Sequence, residues 1–84
     1  MKAHSEITKI ESIVSKLREK LDALQEKIDA REDTFANRSE KWQESDAGSD
    51  YEEKTQELQD LHYEIEDRIE TIETALEELR EYTN

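Results

Sequence analysis

The sequence contains no cysteine, no proline and a single glycine, Gly48. The lack of cysteine excludes disulfides and thiolate metal sites, and it permits a reducing compartment. The lack of proline, together with the single glycine, leaves two long segments in which nothing interrupts a helix, whereas a sheet protein of this size would need several turns. These absences predict an all-α protein.

Long apolar runs are also absent. No segment approaches the ~20 apolar residues that a membrane-spanning helix requires, and the first residues lack the apolar core of a signal peptide. We therefore predict a cytoplasmic protein with no membrane partner.

The charge balance is strongly acidic. The 84 residues include 12 Lys or Arg and 24 Asp or Glu, which gives a net charge of −12, while only 32% of residues are hydrophobic. A chain this short forms one domain at most and buries little surface. Because the composition approaches that of disordered chains, order must come from the pattern of its apolar residues.

That pattern predicts two helices. In each of two segments, apolar residues recur every three or four positions, which is the spacing of one helix face. The first set is Ile7, Ile10, Val14, Leu17, Leu21, Leu24 and Ile28, and the second is Leu58, Leu61, Ile65, Ile69, Ile72, Leu76 and Leu79. The helices are expected over about 5–45 and about 50–82. In the second, several pairs lie eleven residues apart, which is typical of a straight helix.

The segment 46–50 is the predicted turn. Gly48 can adopt the left-handed conformation that ends a helix, and Ser49 with Glu52 forms a capping box that begins the next one. A short connection sets the helices side by side and antiparallel. We predict one domain over 1–84, an antiparallel two-helix hairpin that is coiled-coil-like. Residues 30–56 have almost no aliphatic side chains, so a loop there stays an alternative.

The same geometry predicts self-association. Folding back at Gly48 sets Tyr82 level with about residue 15, so the beginning of the first helix would project beyond its neighbour. Each aliphatic side chain left in water forgoes ~1.5–3 kcal/mol. We predict a homodimer, most simply a four-helix bundle, with a trimeric coiled coil as the alternative. The predicted oligomer interface is Ile7, Ile10, Ile13, Val14 and Leu17.

Nearly all the excess negative charge belongs to the second helix. Residues 1–45 hold nine basic and ten acidic residues, a net of −1, whereas residues 46–84 hold three and fourteen, a net of −11. One interpretation is a solvated face that keeps the protein soluble. The other is a nucleic-acid mimic that inhibits a basic DNA- or RNA-binding protein, of the anti-restriction or anti-CRISPR type. The predicted contact face is Asp60, Tyr63, Glu66, Asp67, Glu70, Glu73, Glu77 and Glu81.

No pattern in the sequence indicates catalysis, a cofactor or a metal. His4 and His62 have no second histidine at helical spacing, and the acids close to Gly48 lack the alternating ligands of a calcium loop. Two packed helices also offer little room for a sheltered catalytic pocket. We predict a non-enzymatic protein, and because a charge of −12 repels phosphate, we expect no direct binding of nucleic acid.

Two arginines interrupt the apolar pattern of the first helix. In the predicted antiparallel register the two arginines, Arg31 and Arg38, fall near the two glutamates Glu57 and Glu64, so we expect interhelical ion pairs that fix the register.

An aromatic residue, Trp42, lies close to the predicted turn. We expect it to cover Tyr51, with the alternative that it joins Arg38 and Lys41 in a recognition hot spot.

One segment carries a resemblance. The residues are Arg38-Ser39-Glu40-Lys41-Trp42-Gln43-Glu44-Ser45, followed by Gly48, Tyr51 and Lys54-Thr55. This run resembles a motif in small uncharacterised acidic proteins of phages, plasmids and their bacterial hosts. The resemblance implies a mobile-element setting and favours a small inhibitor of host defence or regulation.

Overall fold

The computed structural model describes residues 2–83, with side chains over 3–82. Helix α1 spans Lys2–Ala36, the short α2 spans Glu40–Gln43, and α3 spans Asp46–Thr83. No strand occurs between residues 2 and 83. The two long helices pack antiparallel into a rod of 62 × 15 × 12 Å, which confirms the predicted all-α helical hairpin.

The core lies along the seam between α1 and α3. Each long helix contributes a row of buried residues spaced seven apart, because two helical turns return a side chain to nearly the same face. The rows are Ile7, Val14, Leu21 and Ile28 on α1, and Thr55, His62, Ile69 and Leu76 on α3. The buried row of α3 thus repeats every seven residues, like that of α1.

Helix α1 ends nine residues earlier than predicted. After Ala36, the Arg38 N–H donates to Phe35 O at 3.1 Å, a tightened last turn. Ser39 is then extended (φ −62°, ψ 152°), and its hydroxyl accepts from the Trp42 N–H at 3.2 Å. A serine that begins a new helix in this way stops the preceding one. Residues 30–56 are therefore helical except at 37–39 and 44–45.

Helix α3 begins with a serine cap that lies four residues before the predicted one. Ser45 Oγ accepts from the Gly48 N–H at 3.2 Å and donates to the Trp42 carbonyl oxygen. The predicted capping residue Ser49 lies inside the first turn of α3, where its N–H donates to Ser45 O at 2.9 Å. The predicted capping box of Ser49 and Glu52 is therefore wrong.

Gly48 lies within α3 and does not have a positive φ. Its role is to let the backbone of α2 approach α3 closely. A Cβ at this position would lie 2.2 Å from Trp42 O and 2.7 Å from Gln43 O. The predicted left-handed turn at 46–50 is therefore wrong: the chain reverses over 37–45, and the missing side chain lets the backbone of α2 pack against α3.

The earlier reversal shifts the pairing of the two helices. Arg18 bonds to Glu73, and Arg80 bonds to Glu11, so the beginning of α1 runs beside the end of α3. Ile7 and Val14 consequently lie in the core, and the prediction that they lack an internal partner is wrong.

Candidate interaction surfaces

The tip of the hairpin is closed by a glutamine. Gln43 Nε2 donates to Phe35 O at 2.9 Å and to Arg38 O at 3.2 Å. The last carbonyls of a helix have no partner inside it. Gln43 therefore supplies partners at the end of α1 and ties α2 to it.

Aromatic and cationic side chains cover this tip. The Trp42 ring meets Phe35 and Tyr51 edge-on, with ring centroids 5.9 and 5.7 Å away. The Arg38 guanidinium lies 4.0 Å from the Trp42 ring centroid. The prediction that Trp42 covers Tyr51 is confirmed, and the half-buried indole joins all three helices.

Arg31 binds neutral groups and not a carboxylate. Its Nε donates to Thr55 Oγ1 at 2.9 Å, its Nη2 donates to Tyr51 O at 3.0 Å, and its guanidinium carbon lies 3.9 Å from the Tyr51 ring centroid. The interhelical ion pair predicted for Arg31 is wrong, because the shifted register brings residues 51–55 opposite this side chain.

The interhelical ion pair predicted for Arg38 is also wrong. Arg38 stacks on Trp42 at the tip, whereas Glu64 lies far along α3 and pairs with Arg68 at 3.5 Å, four residues away.

One edge of the hairpin is closed by ion pairs. Arg18 donates from Nε and Nη2 to both carboxylate oxygens of Glu73, at 3.0 and 2.6 Å. The hydrogen bond from Arg18 lowers the pKa of Glu73, aided by the nearby positive charge and opposed by desolvation, and the same bond raises the pKa of Arg18. This two-point pairing fixes the helices laterally.

A second pair extends this edge toward the chain ends. Arg80 bonds to Glu11, and its Nη1 lies 3.0 Å from His4 Nε2. We call the edge formed by Glu11, Arg18, Glu73 and Arg80 the closed edge. Glu73 was predicted on the outer face, and that assignment is wrong because its carboxylate reaches across to α1.

The opposite edge is apolar and uncovered. Six large aliphatic side chains are 40–64% exposed: Ile10, Ile13, Leu17, Leu61, Ile72 and Leu79. At 100° per residue, those on α1 fall on the opposite side of the buried row from Glu11 and Arg18. We call this surface the open edge. Three of its members, Ile10, Ile13 and Leu17, belong to the predicted oligomer interface.

A shallow groove runs along the open edge between the helices. Leu17, Ile65, Ile69 and Ile72 line its apolar floor, and Glu64 and Arg68 lie at its rim. Leu17 and Ile72 thus lie at the same height in the hairpin, as the neighbouring pair of Arg18 and Glu73 requires.

The outer surface of α3 carries most of the predicted acidic face. Five of the predicted acids are exposed, namely Asp60, Asp67, Glu70, Glu77 and Glu81. Tyr63 is 60% exposed and shares a shallow depression with Asp60, Glu64 and Asp67. Glu66 is half-buried, since it turns toward His62.

His62 lies in the core row of α3. Its Nδ1 is buried without a hydrogen-bond partner, 3.8 Å from Glu66 Oε2, and its ring meets Tyr63 edge-on at 5.9 Å. Among residues 2–83, no group of three or more potential ligands could hold a metal ion. None of the three helices, over the same residues, is both long and apolar enough to cross a bilayer.

Comparison with known proteins identifies no relative: no family model, no curated protein and no solved structure matches this chain.

Proposed function

We propose that this chain is a non-enzymatic protein–protein interaction module that associates with a second copy of itself through the open edge. The asymmetry of the hairpin supports this proposal. Ion pairs cover one side of the seam, whereas the other side presents six aliphatic side chains to water.

Burial of the open edge has a clear physical driving force. Aliphatic side chains gain about 25 cal/mol per Å² of surface removed from water, and no element among residues 2–83 covers this edge. Contiguous exposed apolar surfaces of this kind mark association sites. A second copy offers the same apolar surface, and pairing the two would complete a four-helix bundle.

The test is to make the open edge polar without disturbing the core. Leu61→Gln combined with Leu79→Gln replaces two half-exposed leucines by a good helix former. We expect the dimer dissociation constant to rise about tenfold or more, because both copies lose apolar contact. Sedimentation equilibrium over a range of concentrations measures this change.

Tyr63→Gln provides the matched control. It removes an exposed apolar group from α3 on the face away from the open edge, so it should leave the dissociation constant unchanged. Circular dichroism should show the same helix content in both variants. A wild-type chain that sediments with the mass of one copy at several hundred micromolar, a concentration high enough to detect weak pairing, would rule out self-association.

The acidic outer face supports a second candidate function, inhibition of a basic nucleic-acid-binding protein. The open edge and the outer face of α3 are separate surfaces, so a dimer would still present the exposed carboxylates around Tyr63. A row of negative charge along a rod resembles the phosphate backbone.

Salt tests this second candidate. A partner captured from a cell extract by the immobilised chain should be released steeply between about 50 and 200 mM salt, and duplex DNA should compete for it. Neutralising Asp60, Asp67 and Glu81 as Asn, Asn and Gln should abolish capture. Neutralising Asp22, Glu26 and Asp29 of α1 in the same way changes the net charge by the same amount and should leave capture unchanged. Retention at both salt concentrations would refute mimicry.

A further inference from the structure

We infer that the second copy binds about a two-fold axis parallel to the long axis of the hairpin, so that α1 of each copy lies beside α3 of the other and both tips lie at the same end. This inference rests on the proposed self-association. It adds which helices meet and in which direction.

Symmetry leaves two ways to face the open edges together. Most homodimers use a two-fold axis and bury the same surface on both copies. An axis parallel to the rod sets α1 beside the partner's α3, with neighbouring helices antiparallel. An axis perpendicular to the rod sets α1 beside α1 and α3 beside α3, with the tips at opposite ends.

The charge of α3 disfavours the perpendicular axis. Residues 46–84 carry a net charge of −11, and neighbouring helices in a bundle lie about 8–10 Å apart. That separation is close to the screening length of about 8 Å at physiological ionic strength. The parallel axis sets the two acidic helices on the diagonal of the bundle, roughly 11–14 Å apart, with α1 between them.

The rim of the open edge on α1 is basic. At 100° per residue, four exposed lysines fall within roughly 40° of one another beside Ile13; they are Lys9, Lys16, Lys20 and Lys27. Glu6 is the exception on this rim, and it is paired with Lys9 at 3.1 Å. Among the residues whose side chains are described, Lys16, Lys20 and Lys27 form no ion pair.

The rim on α3 has the opposite sign. Glu57, Glu64 and Glu78 are exposed and fall within roughly 60° of one another beside Leu61. Lys54 and Arg68 are the exceptions here, and each is paired with a glutamate of the same rim, Lys54 with Glu57 at 4.0 Å and Arg68 with Glu64 at 3.5 Å. The parallel axis brings the lysine rim of each copy against the acidic rim of the other, whereas the perpendicular axis brings lysines against lysines.

The positions of the apolar residues agree with the parallel axis. Leu17 and Ile72 share one groove at one height, and an axis along the rod preserves heights, so Leu17 of each copy would meet Ile72 of the other. The hairpins would then overlap along their whole length. With the perpendicular axis, the ends of the two hairpins that carry Leu17 and Ile72 could still pair, but the two tips would then project in opposite directions.

The distance between the two tips tests the inference directly. The chain has no cysteine, so Lys41→Cys gives one attachment site for a nitroxide label, on exposed α2 at the tip. Electron–electron dipolar spectroscopy on the labelled full chain should give a distance of about 20–35 Å for the parallel axis. The perpendicular axis would place the labels about as far apart as the 62 Å length of the rod or farther, and that result would overturn the inference.

The same measurement separates the two proposals. An absence of dipolar modulation together with the sedimentation mass of one copy means separate copies, which refutes self-association itself, whereas an absence of modulation in a chain that sediments as a dimer means widely separated tips and refutes the parallel axis. A long distance keeps self-association and refutes the parallel axis. In the Leu61→Gln, Leu79→Gln background the short distance should disappear, which ties it to the open edge.

Charge exchange gives an independent check of which helices meet. Changing Lys16, Lys20 and Lys27 to Glu should raise the dissociation constant about tenfold or more, because acidic rims would then face each other. When Glu57, Glu64 and Glu78 are also changed to Lys in the same chain, pairing should be restored. If the lysine reversal leaves the dissociation constant unchanged, the lysines do not face α3 and the parallel axis is wrong.

Discussion

Replacing Ile69 with alanine should lower the free energy of unfolding by about 2–5 kcal/mol. The Ile69 side chain is 1% exposed and belongs to the core cluster with Val14, Leu21 and Leu76. The substitution removes apolar contacts and leaves a cavity that two rigid helices cannot close. A chain of this size has a total stability of roughly 4–13 kcal/mol, so the loss is a large share of the total and should lower the urea midpoint clearly.

Urea unfolding followed by circular dichroism measures this loss, at protein concentrations low enough to keep the copies separate. Ile13→Ala is the matched control, since it makes the same chemical change in a helix at a side chain that is 64% exposed. Its expected cost is well below 1 kcal/mol, because surface substitutions have small effects. Equal losses in the two variants would contradict the burial that the structure assigns to Ile69.

The two helices could be predicted from the sequence because apolar periodicity is a local property. Spacings of three and four between aliphatic residues reflect one helix face, whatever the face packs against. Pairing into an antiparallel hairpin also follows, since a short connection leaves consecutive helices few other arrangements.

The position of the reversal could not be predicted in the same way. Glycine is the strongest local signal for a helix end, but Gly48 serves a contact with the backbone of α2, which only the folded chain reveals. The true breaks are marked by Ser39 and Ser45, and serine is a weaker signal because it also occurs inside helices. The hydrogen bond that each serine hydroxyl accepts from the N–H three residues later is visible only in the folded chain.

The predicted position of the reversal also determined the predicted contacts of several side chains. A reversal at Gly48 predicts an ion pair for Arg31 and an outward-facing Glu73. Both predictions are wrong because the chain reverses over 37–45. The exposure of Ile10 and Ile13 was anticipated on the ground that the beginning of α1 would project beyond α3. In the structure they are exposed because they lie on the uncovered side of the seam.

The residues that form the core row of α3 could not be predicted from the sequence either. The apolar pattern marked Leu61, Ile72 and Leu79 as one stripe with Ile69 and Leu76, but the first three lie on the open edge. Counting back by sevens from Leu76 would have reached His62 and Thr55, both buried. Their polar side chains gave no reason to count in this way. Thr55 is accommodated because its hydroxyl accepts from Arg31 and donates to Tyr51 O.

Gly48→Ala should destabilise the tip by about 3 kcal/mol, the upper part of the range for overpacked sites. Inside an ordinary helix the same change stabilises by about 1 kcal/mol, so the sign of the effect decides between the two roles of this glycine. The added methyl would meet the carbonyl oxygens of Trp42 and Gln43, which belong to the backbone and cannot rotate away. The steric clash can be relieved only if α2 moves, and that movement would break the hydrogen bonds from Gln43 to the end of α1.

Thermal unfolding and tryptophan fluorescence together report this change. Trp42 is the only tryptophan, so a displaced α2 should shift its emission even below the unfolding temperature. Ser49→Ala, at the exposed neighbouring position in the same turn of α3, is the control and should leave emission and unfolding nearly unchanged. A Gly48→Ala protein more stable than wild type would show that α2 does not pack as closely as the carbonyl distances require, and the placement of the reversal at 37–45 would have to be abandoned.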